Sequence, residues 1–332
     1  MPEAGLWALP GLWLAAAVPL ALGIDAWLGE PPVRWHPVVW IGHYLGWAGR
    51  RVAPPAEAVP QGRGARWGCF ALGALAWLAG AALVWAVSAA LQGAVQQAPG
   101  WLAVPLLALC LKPLLAWRML ASEVQAVEAA LAESLEAGRA RLAWLVSRDV
   151  AQLSAAQVRE SALESLAENL NDSVVAPLFW FALFGLPGAA LYRFANTADA
   201  MWGYPGARAG RHWQWAGKWA ARADDLLSWL PARLTAWLLL CGGGAGPSLW
   251  RAVRREAART PSPNSGWPMA ALALCTGLRL EKPGVYVLNA PGRSPGAQDT
   301  SQALRLAQKV VWMLTGIAVL AMVLMVFEQG LP

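Results

Sequence analysis

Residues 67–111 read WGCFALGALAWLAGAALVWAVSAALQGAVQQAPGWLAVPLLALCL, 45 positions without one charged side chain. A membrane-crossing helix needs about 20 consecutive apolar residues. The stretch therefore holds the core of two crossings, 67–91 and 100–117, joined by a turn that Gln92, Gln96, Gln97 and Pro99 mark. Outward from it, residues 310–327 form an uncharged run bounded by Lys309 and Glu328, and residues 4–24 form another, interrupted by Pro10 and Pro19. No basic segment precedes that first run, so it does not read as a cleaved signal peptide. Two less regular runs, 173–192 (broken by Gly185, Pro187 and Gly188) and 234–250 (broken by Gly242 to Gly244), either cross or re-enter. The expectation is an all-α polytopic integral membrane protein of four to six membrane helices, a single membrane-embedded domain over 1–332.

Composition agrees. Hydrophobic residues make up 57% of the 332 positions and charged residues 14%, with 22 Trp, against about 25% charged in ordinary globular domains. A disordered chain is excluded. Cys69, Cys110, Cys241 and Cys275 stand singly and His36, His43 and His212 have no ligand spacing, so neither a disulfide framework nor a zinc site is expected. The net charge of +6 is scattered between apolar runs, which argues against nucleic acid as a partner. Basic loops favour the cytoplasmic side: Arg34, Arg50, Arg51, Arg63 and Arg66 place 25–66 there, and Lys112, Arg118, Arg139, Arg141, Arg148 and Arg159 place the helical segment 118–172 there. The turn at 92–99 then faces outward. Basic residues in 193–225 and 251–309 put those segments on the cytoplasmic side as well, which requires that the two irregular runs re-enter or are buried, or else that the positive-inside bias fails once at 193–225.

Polar residues gather at the ends of the apolar runs. From 119 to 146, Leu120, Val124, Val127, Leu131 and Leu135 recur at helical spacing and predict one long amphipathic helix. Ser154 and Gln157 read as a capping box opening a second helix with Val158, Ala162, Leu166 and Leu170 on its apolar side. On the other side Glu160, Glu164, Glu168 and Asp172 fall every four residues, where like charges repel. Either this is a solvated face relieved by Arg159, or a cation offsets it in an Mg²⁺ and phosphate site, since hard cations take carboxylate oxygens. A second cluster is Tyr192, Arg193, Asn196, Thr197, Asp199 and Tyr204; a third is Arg222, Asp224, Asp225 and Arg233; a fourth is the turn-rich loop Ser262 to Pro268, with Asn264 and Trp267. Headgroup anchoring would account for aromatic and basic residues at such positions, though not for Asn and paired Asp. No Walker A loop, nucleophile elbow or Cys-His pair is present.

The run Glu164-Ser165-Leu166-Ala167-Glu168-Asn169, then Asp172 and Ala176-Pro177-Leu178-Phe179-Trp180, resembles a known signature. So do Tyr192-Arg193, Asn196-Thr197, Asp199, Met201, Gly203-Tyr204, Asp224-Asp225, Pro231-Ala232-Arg233-Leu234-Thr235, Ser262-Pro263-Asn264 and Gly266-Trp267-Pro268. With Asp25, Gly29, Pro31, His36-Pro37 and Ile41-Gly42, the order resembles the CobD/CbiB family of cobalamin biosynthesis proteins over most of the chain. The resemblance implies a membrane ligase of the late corrinoid pathway, adenosylcobinamide-phosphate synthase. Such an enzyme joins aminopropanol, or its O-phosphate, to the ring D propionate (the f side chain) of adenosylcobyric acid, with ATP as co-substrate and Mg²⁺ as cofactor. It implies metal and base roles for Glu164, Glu168 and Asp172, and orienting roles for Asn169 and Asn196. Asp199 and Asp225 join this catalytic set, and phosphate contacts are implied for Arg193 and Arg222. Arg148, Asp149, Tyr192, Tyr204, Arg233, Ser262, Asn264 and Trp267 are the further substrate-binding candidates. The expected setting is the bacterial inner membrane, with the site on the cytoplasmic side and other late corrinoid-pathway enzymes as partners.

The chain departs from the family pattern at Glu30 (Asp in the family), Val150 (Thr), Ala223 (Leu) and Met269 (Glu), and residues 281–300 fit it poorly. The alternative classes are a membrane transporter, a signalling protein like AmpE, to which the resemblance extends, and a non-catalytic scaffold. A transporter should carry ionisable residues deep in its spans, and 67–111 and 310–327 carry none.

Overall fold

The computed structural model describes residues 10–328, so residues 4–9 of the expected first span lie outside the described residues. The helices are α1 (Pro10–Leu28), α2 (Pro37–Val52), α3 (Gly62–Val95), α4 (Gly100–Leu111), α5 (Trp117–Glu133), α6 (Leu135–Leu142), α7 (Ala155–Leu170) and α8 (Ala176–Trp202). There follow α9 (Lys218–Leu227), α10 (Trp229–Gly242), α11 (Trp250–Ala257), α12 (Gly266–Thr276) and α13 (Ala297–Glu328). Two small antiparallel ribbons are the only sheets among the described residues: β1 (Ala207–Arg208) with β2 (Arg211–His212), and β3 (Leu280–Lys282) with β4 (Tyr286–Leu288). Among the described residues five helical stretches are long and apolar enough to cross a membrane: Gly11–Leu28, Gly62–Val95, Gly100–Glu133, Ala155–Trp202 and Ala297–Glu328. The protein is an all-α, multi-pass membrane protein. Residues 155–172 carry Arg159, Glu160, Glu164, Glu168 and Asp172, so the apolar part of the fourth stretch begins at Ser173 and leaves α7 outside it.

Two compact units divide the chain, one of Met1–Leu115, Ala176–Leu227 and Ala318–Pro332, the other of Ala116–Val175 and Ser228–Ile317. In the first unit α3 has 34 residues, about 50 Å at 1.5 Å per residue, more than the about 30 Å of a hydrocarbon core. Leu72, Leu75, Leu78, Leu83, Val87 and Leu91 on it are exposed. Such a row is a liability in water and an ordinary surface in lipid. The packed side of this unit is aromatic: Trp77 meets Phe194 edge-on at 5.5 Å, with Ile41, Leu45, Trp202 and Trp213 in the same core.

Within α8 the chain leaves helical geometry at Gly185 (φ 67°, ψ −153°). The freed amide of Leu186 donates to Gln92 Oε1 at 2.6 Å, so a glutamine in the last turn of α3 supplies the acceptor that lipid cannot. At the end of α4 the buried Lys112 pairs with Asp25 at 3.4 Å and Glu30 at 3.1 Å, and Glu30 also accepts from His36 at 3.0 Å. Burial pushes the Glu30 carboxyl up, but His36 and Lys112 outweigh it and hold the group below the ordinary carboxylate range.

The structure refines three of the sequence readings. The run 100–117 is not one helix: α4 stops at Leu111 and a 3₁₀ turn, Lys112–Leu114, follows around Pro113, whose ring removes an N–H donor. The expected helix over 119–146 is two helices. Ser134, in extended conformation (φ −162°, ψ 162°), accepts from Ala137 N at 3.0 Å and starts α6 as its N-cap. Over 234–250, α10 ends at Gly242 and the chain turns through Gly244 (φ 69°). Its 14 residues span about 21 Å, short of a full crossing.

Candidate functional site

The second unit builds a polar cavity against α7. Ser154 and Gln157 form the capping box reciprocally, at 3.3 and 2.9 Å. Val158, Ala162, Leu166 and Leu170 are buried, which fixes the rotation of α7 about its axis. The opposite side meets solvent only toward its C-terminal end: Glu160 and Glu164 are buried too, while Glu168 is exposed. Ser161, Glu164, Ser165 and Glu168, spaced i, i+3, i+4, i+7, line a cavity of about 170 Å³. Arg148, Asn169, Lys282 and Tyr286 complete its polar wall.

The cations that offset the stripe come from elsewhere in the chain. Arg148 lies in the loop before α7; its Nη2 meets Glu164 Oε2 at 3.3 Å and also donates to Ser161. Arg279 stands 3.8 Å from Glu160 and 3.6 Å from Glu281. Arg159 does not relieve the stripe. It grips Glu128 through Nε (2.9 Å) and Nη2 (2.7 Å), and Thr300 donates to the same carboxylate at 2.8 Å. At Glu160 and Glu164 the reading of a solvated face is therefore replaced by buried pairs. A 170 Å³ space falls below the about 300–1,000 Å³ of sites that enclose a whole drug-sized ligand; it suits an anionic group such as phosphate.

Burial shifts the site's titrations. It pushes Glu164 up against the pull of the Tyr286 hydroxyl, Arg148 and Lys282. Tyr286 is raised by burial and by the Glu164 charge. Glu160 is pushed from 4.5 to about 7 by burial, opposed by Arg279 and reinforced by Glu281 and Glu164. The folded protein then keeps the Glu160 proton up to about pH 7, whereas the unfolded chain releases it near 4.5. The linked cost is absent below the lower value and complete above the higher one. Glu160→Gln is expected to stabilise the protein by about 3 kcal/mol at pH 8 and much less at pH 5, measured as thermal unfolding in detergent. Equal shifts at both pH values would refute this.

Metal ligation can be tested on the oxygens. Among the described residues no group of three or more His, Cys, Asp or Glu is placed to hold a metal ion, so the three expected ligands do not form a cage. Glu164 Oε1, however, is buried without a hydrogen bond, and Glu168 lines the same cavity. One or two carboxylates completed by phosphate oxygens and water is the usual way Mg²⁺ is held, and these residues fit it. Asp172 does not line this cavity. It lies in a π-helical turn, Asn171–Val175, and accepts from Asn171 Nδ2 at 2.7 Å.

The structure joins some candidates and separates others. Arg233 donates to Asn264 Oδ1 at 2.9 Å and lies over Trp229 (4.4 Å) and Trp267 (4.6 Å), so the third cluster's arginine clamps the fourth cluster's loop. Ser262 Oγ accepts from Asn264 N and Ser265 N, both at 3.2 Å, closing that loop. Asp149 accepts from Ala151 N at 2.9 Å in a turn and does not line the cavity. Asn169 donates to Ser165 O at 3.0 Å.

In the first unit Tyr192, Arg193, Asn196 and Asp199 lie on α8, with Tyr192 buried. Tyr204 sits under the Arg208 guanidinium at 4.0 Å. Asp225 is pushed up by burial although Arg222 lies at 3.3 Å. Lys282 and Tyr286 were not among the expected residues, because they lie in the poorly fitting segment. They face each other across β3 and β4 around Pro283-Gly284 (φ 73° at Gly284), a turn signal flanked by short alternation that marks a hairpin.

A family model described as CobD/Cbib protein matches residues 18–313. The chain is 40% identical over 305 residues to the probable cobalamin biosynthesis protein CobD of Thermococcus kodakarensis, covering 91% of this chain and 94% of that one. It is 39% identical over 332 residues to the cobalamin biosynthesis protein CobD of Chromobacterium violaceum (93% and 97%), and 40% identical over 296 residues to the probable CobD of Pyrococcus abyssi (88% and 91%). No solved structure matches. With a family match over most of its length and relatives at this identity, the chain belongs to the CobD/CbiB family.

Proposed function

We propose that this protein is the cobalamin-pathway ligase adenosylcobinamide-phosphate synthase. It attaches aminopropanol or its O-phosphate to the f propionate of adenosylcobyric acid, in the bacterial inner membrane with its site on the cytoplasmic side. The family's named members are cobalamin biosynthesis proteins, and one observation carries the chemistry: Arg148, Lys282, Glu164 and Glu168 line one small polar cavity. A carboxylate is a poor acyl donor, so amide formation proceeds through transfer of the ATP γ-phosphoryl to its oxygen, releasing ADP. The amine nitrogen then attacks the acyl carbon, and phosphate leaves with one proton lost from nitrogen. Arg148 and Lys282 hold phosphoryl oxygens as charged donors. Glu168, at the exposed end of the cavity, takes the ammonium proton. Asn169, anchored on Ser165 O, orients a substrate group. Bound Mg²⁺, held by Glu164 and Glu168, would neutralise phosphate charge.

The test is incubation of detergent-purified protein with adenosylcobyric acid, Mg-ATP and either aminopropanol or its phosphate, with mass analysis of the corrinoid. A product heavier by one amine minus water, dependent on ATP, is expected in one arm. Unchanged corrinoid in both arms, from folded protein, rules the reading out.

A further inference from the structure

A second cavity, of about 530 Å³, lies wholly within the first unit and belongs to none of the clusters above. Arg50, at the end of α2, and Arg208 and Arg211, on β1 and β2, line it, with Trp202 and Trp213 as its apolar wall. No carboxylate lines it. Arg208 and Arg211 are direct partners across the ribbon, where like charges oppose each other at a cost. The contacts these two arginines make bring no negative charge to offset it: Arg208 lies over the Tyr204 ring at 4.0 Å, and Arg211 gives Nη1 to the Ala53 carbonyl at 3.0 Å.

The place is also rigidly made. Ala209 and Gly210 both have positive φ (49° and 72°), as a tight two-residue hairpin turn requires. His212 N donates to Pro54 O at 3.0 Å and Ala56 N to Gly210 O at 3.1 Å, pinning the ribbon to the chain after α2. The Trp202 and Trp213 rings stack at 5.8 Å and 15°. A side chain at Gly49 would come within 2.7 Å of Trp213 and 2.8 Å of Trp202, so the wall is closed around a glycine.

We propose that this cavity binds a phosphate-bearing ligand, gripped by Arg208 and Arg211 together with Arg50. Three guanidiniums without a carboxylate call for an anion of more than one charge, and the guanidinium fork matches phosphate oxygens in pairs. The volume is within the range of ligand sites, leaving room for the group that carries the phosphate against the indole wall. The phosphate reaches it either from a soluble ester or from a lipid headgroup. The inference does not depend on the ligase reading.

The experiment reads arginine modification by p-hydroxyphenylglyoxal, residue by residue, through peptide mass analysis of the protein in lipid nanodiscs. In phosphatidylcholine discs, millimolar pyrophosphate is expected to slow modification of Arg208 and Arg211 about tenfold relative to the exposed Arg305. Phosphatidylglycerol discs without pyrophosphate form the second arm, and protection there alone identifies a headgroup as the source. Arg50→Gln, at an exposed position, should raise the concentration or lipid fraction for half-protection about tenfold, the loss of a charge-assisted hydrogen bond. Protection in neither arm, equal slowing at Arg305, or no effect of Arg50→Gln overturns the proposal. None of these readouts needs turnover, so a failed ligase assay leaves the result intact.

Discussion

Glu168→Gln is expected to lower corrinoid amide synthesis by about 10²–10⁴-fold, the range for losing a positioned general base, while the protein stays folded. Position is what makes this variant informative. Glu164 is buried against Arg148, and removing its charge would strand a guanidinium, so inactivity at 164 would mix chemistry with folding. Glu168 is exposed and at the edge of the same cavity, and Gln keeps its shape and its helix propensity. Single-turnover product formation followed by mass analysis, beside thermal unfolding in detergent, checks both halves. Activity within threefold of the parent would remove Glu168 from the machinery. Asp172→Asn is a weaker test, because Asp172 also serves the π-helical turn through Asn171.

Gly73→Ala is expected to destabilise the first unit although Ala is the better helix former by up to about 1 kcal/mol. A Cβ at Gly73 would overlap the carbonyl oxygen of Ala216, a backbone atom that cannot rotate aside. Overpacking of this kind costs about 1–3 kcal/mol, so the sign reverses. Gly93 is the control: it lies in the same helix with nothing within 4 Å of the added atom. Thermal unfolding should fall for Gly73→Ala and hold or rise for Gly93→Ala. A Gly73→Ala protein as stable as the parent would show that α3 does not approach residue 216 this closely.

Much of this was legible in the sequence because it depends on local quantities. An uncharged run of 45 residues has few stable environments other than lipid, and the Ser154–Gln157 box with the Val158, Ala162, Leu166, Leu170 spacing is a property of one helix. The stripe at 160, 164 and 168 was likewise visible as an electrostatic conflict, and so was the need for a cation.

Which cation answers it was decided by the tertiary structure. Arg159 is the near neighbour, yet it pairs with Glu128, 31 residues back, while Glu160 and Glu164 meet Arg279 and Arg148. Lys282 and Tyr286 enter the cavity only because a hairpin brings them to α7. Gly185 tolerates its break in helix geometry because Gln92, 94 residues earlier than Leu186, supplies an acceptor. The sequence by itself determined the class of protein, its long apolar helices, the start of α7 and the chemical types of its polar clusters, since hydrophobicity and helical period act over neighbouring residues. Partner choice in buried charge pairs, and which glycines have no room for a side chain, depend on contacts between segments far apart in the chain, and only packing selects among them.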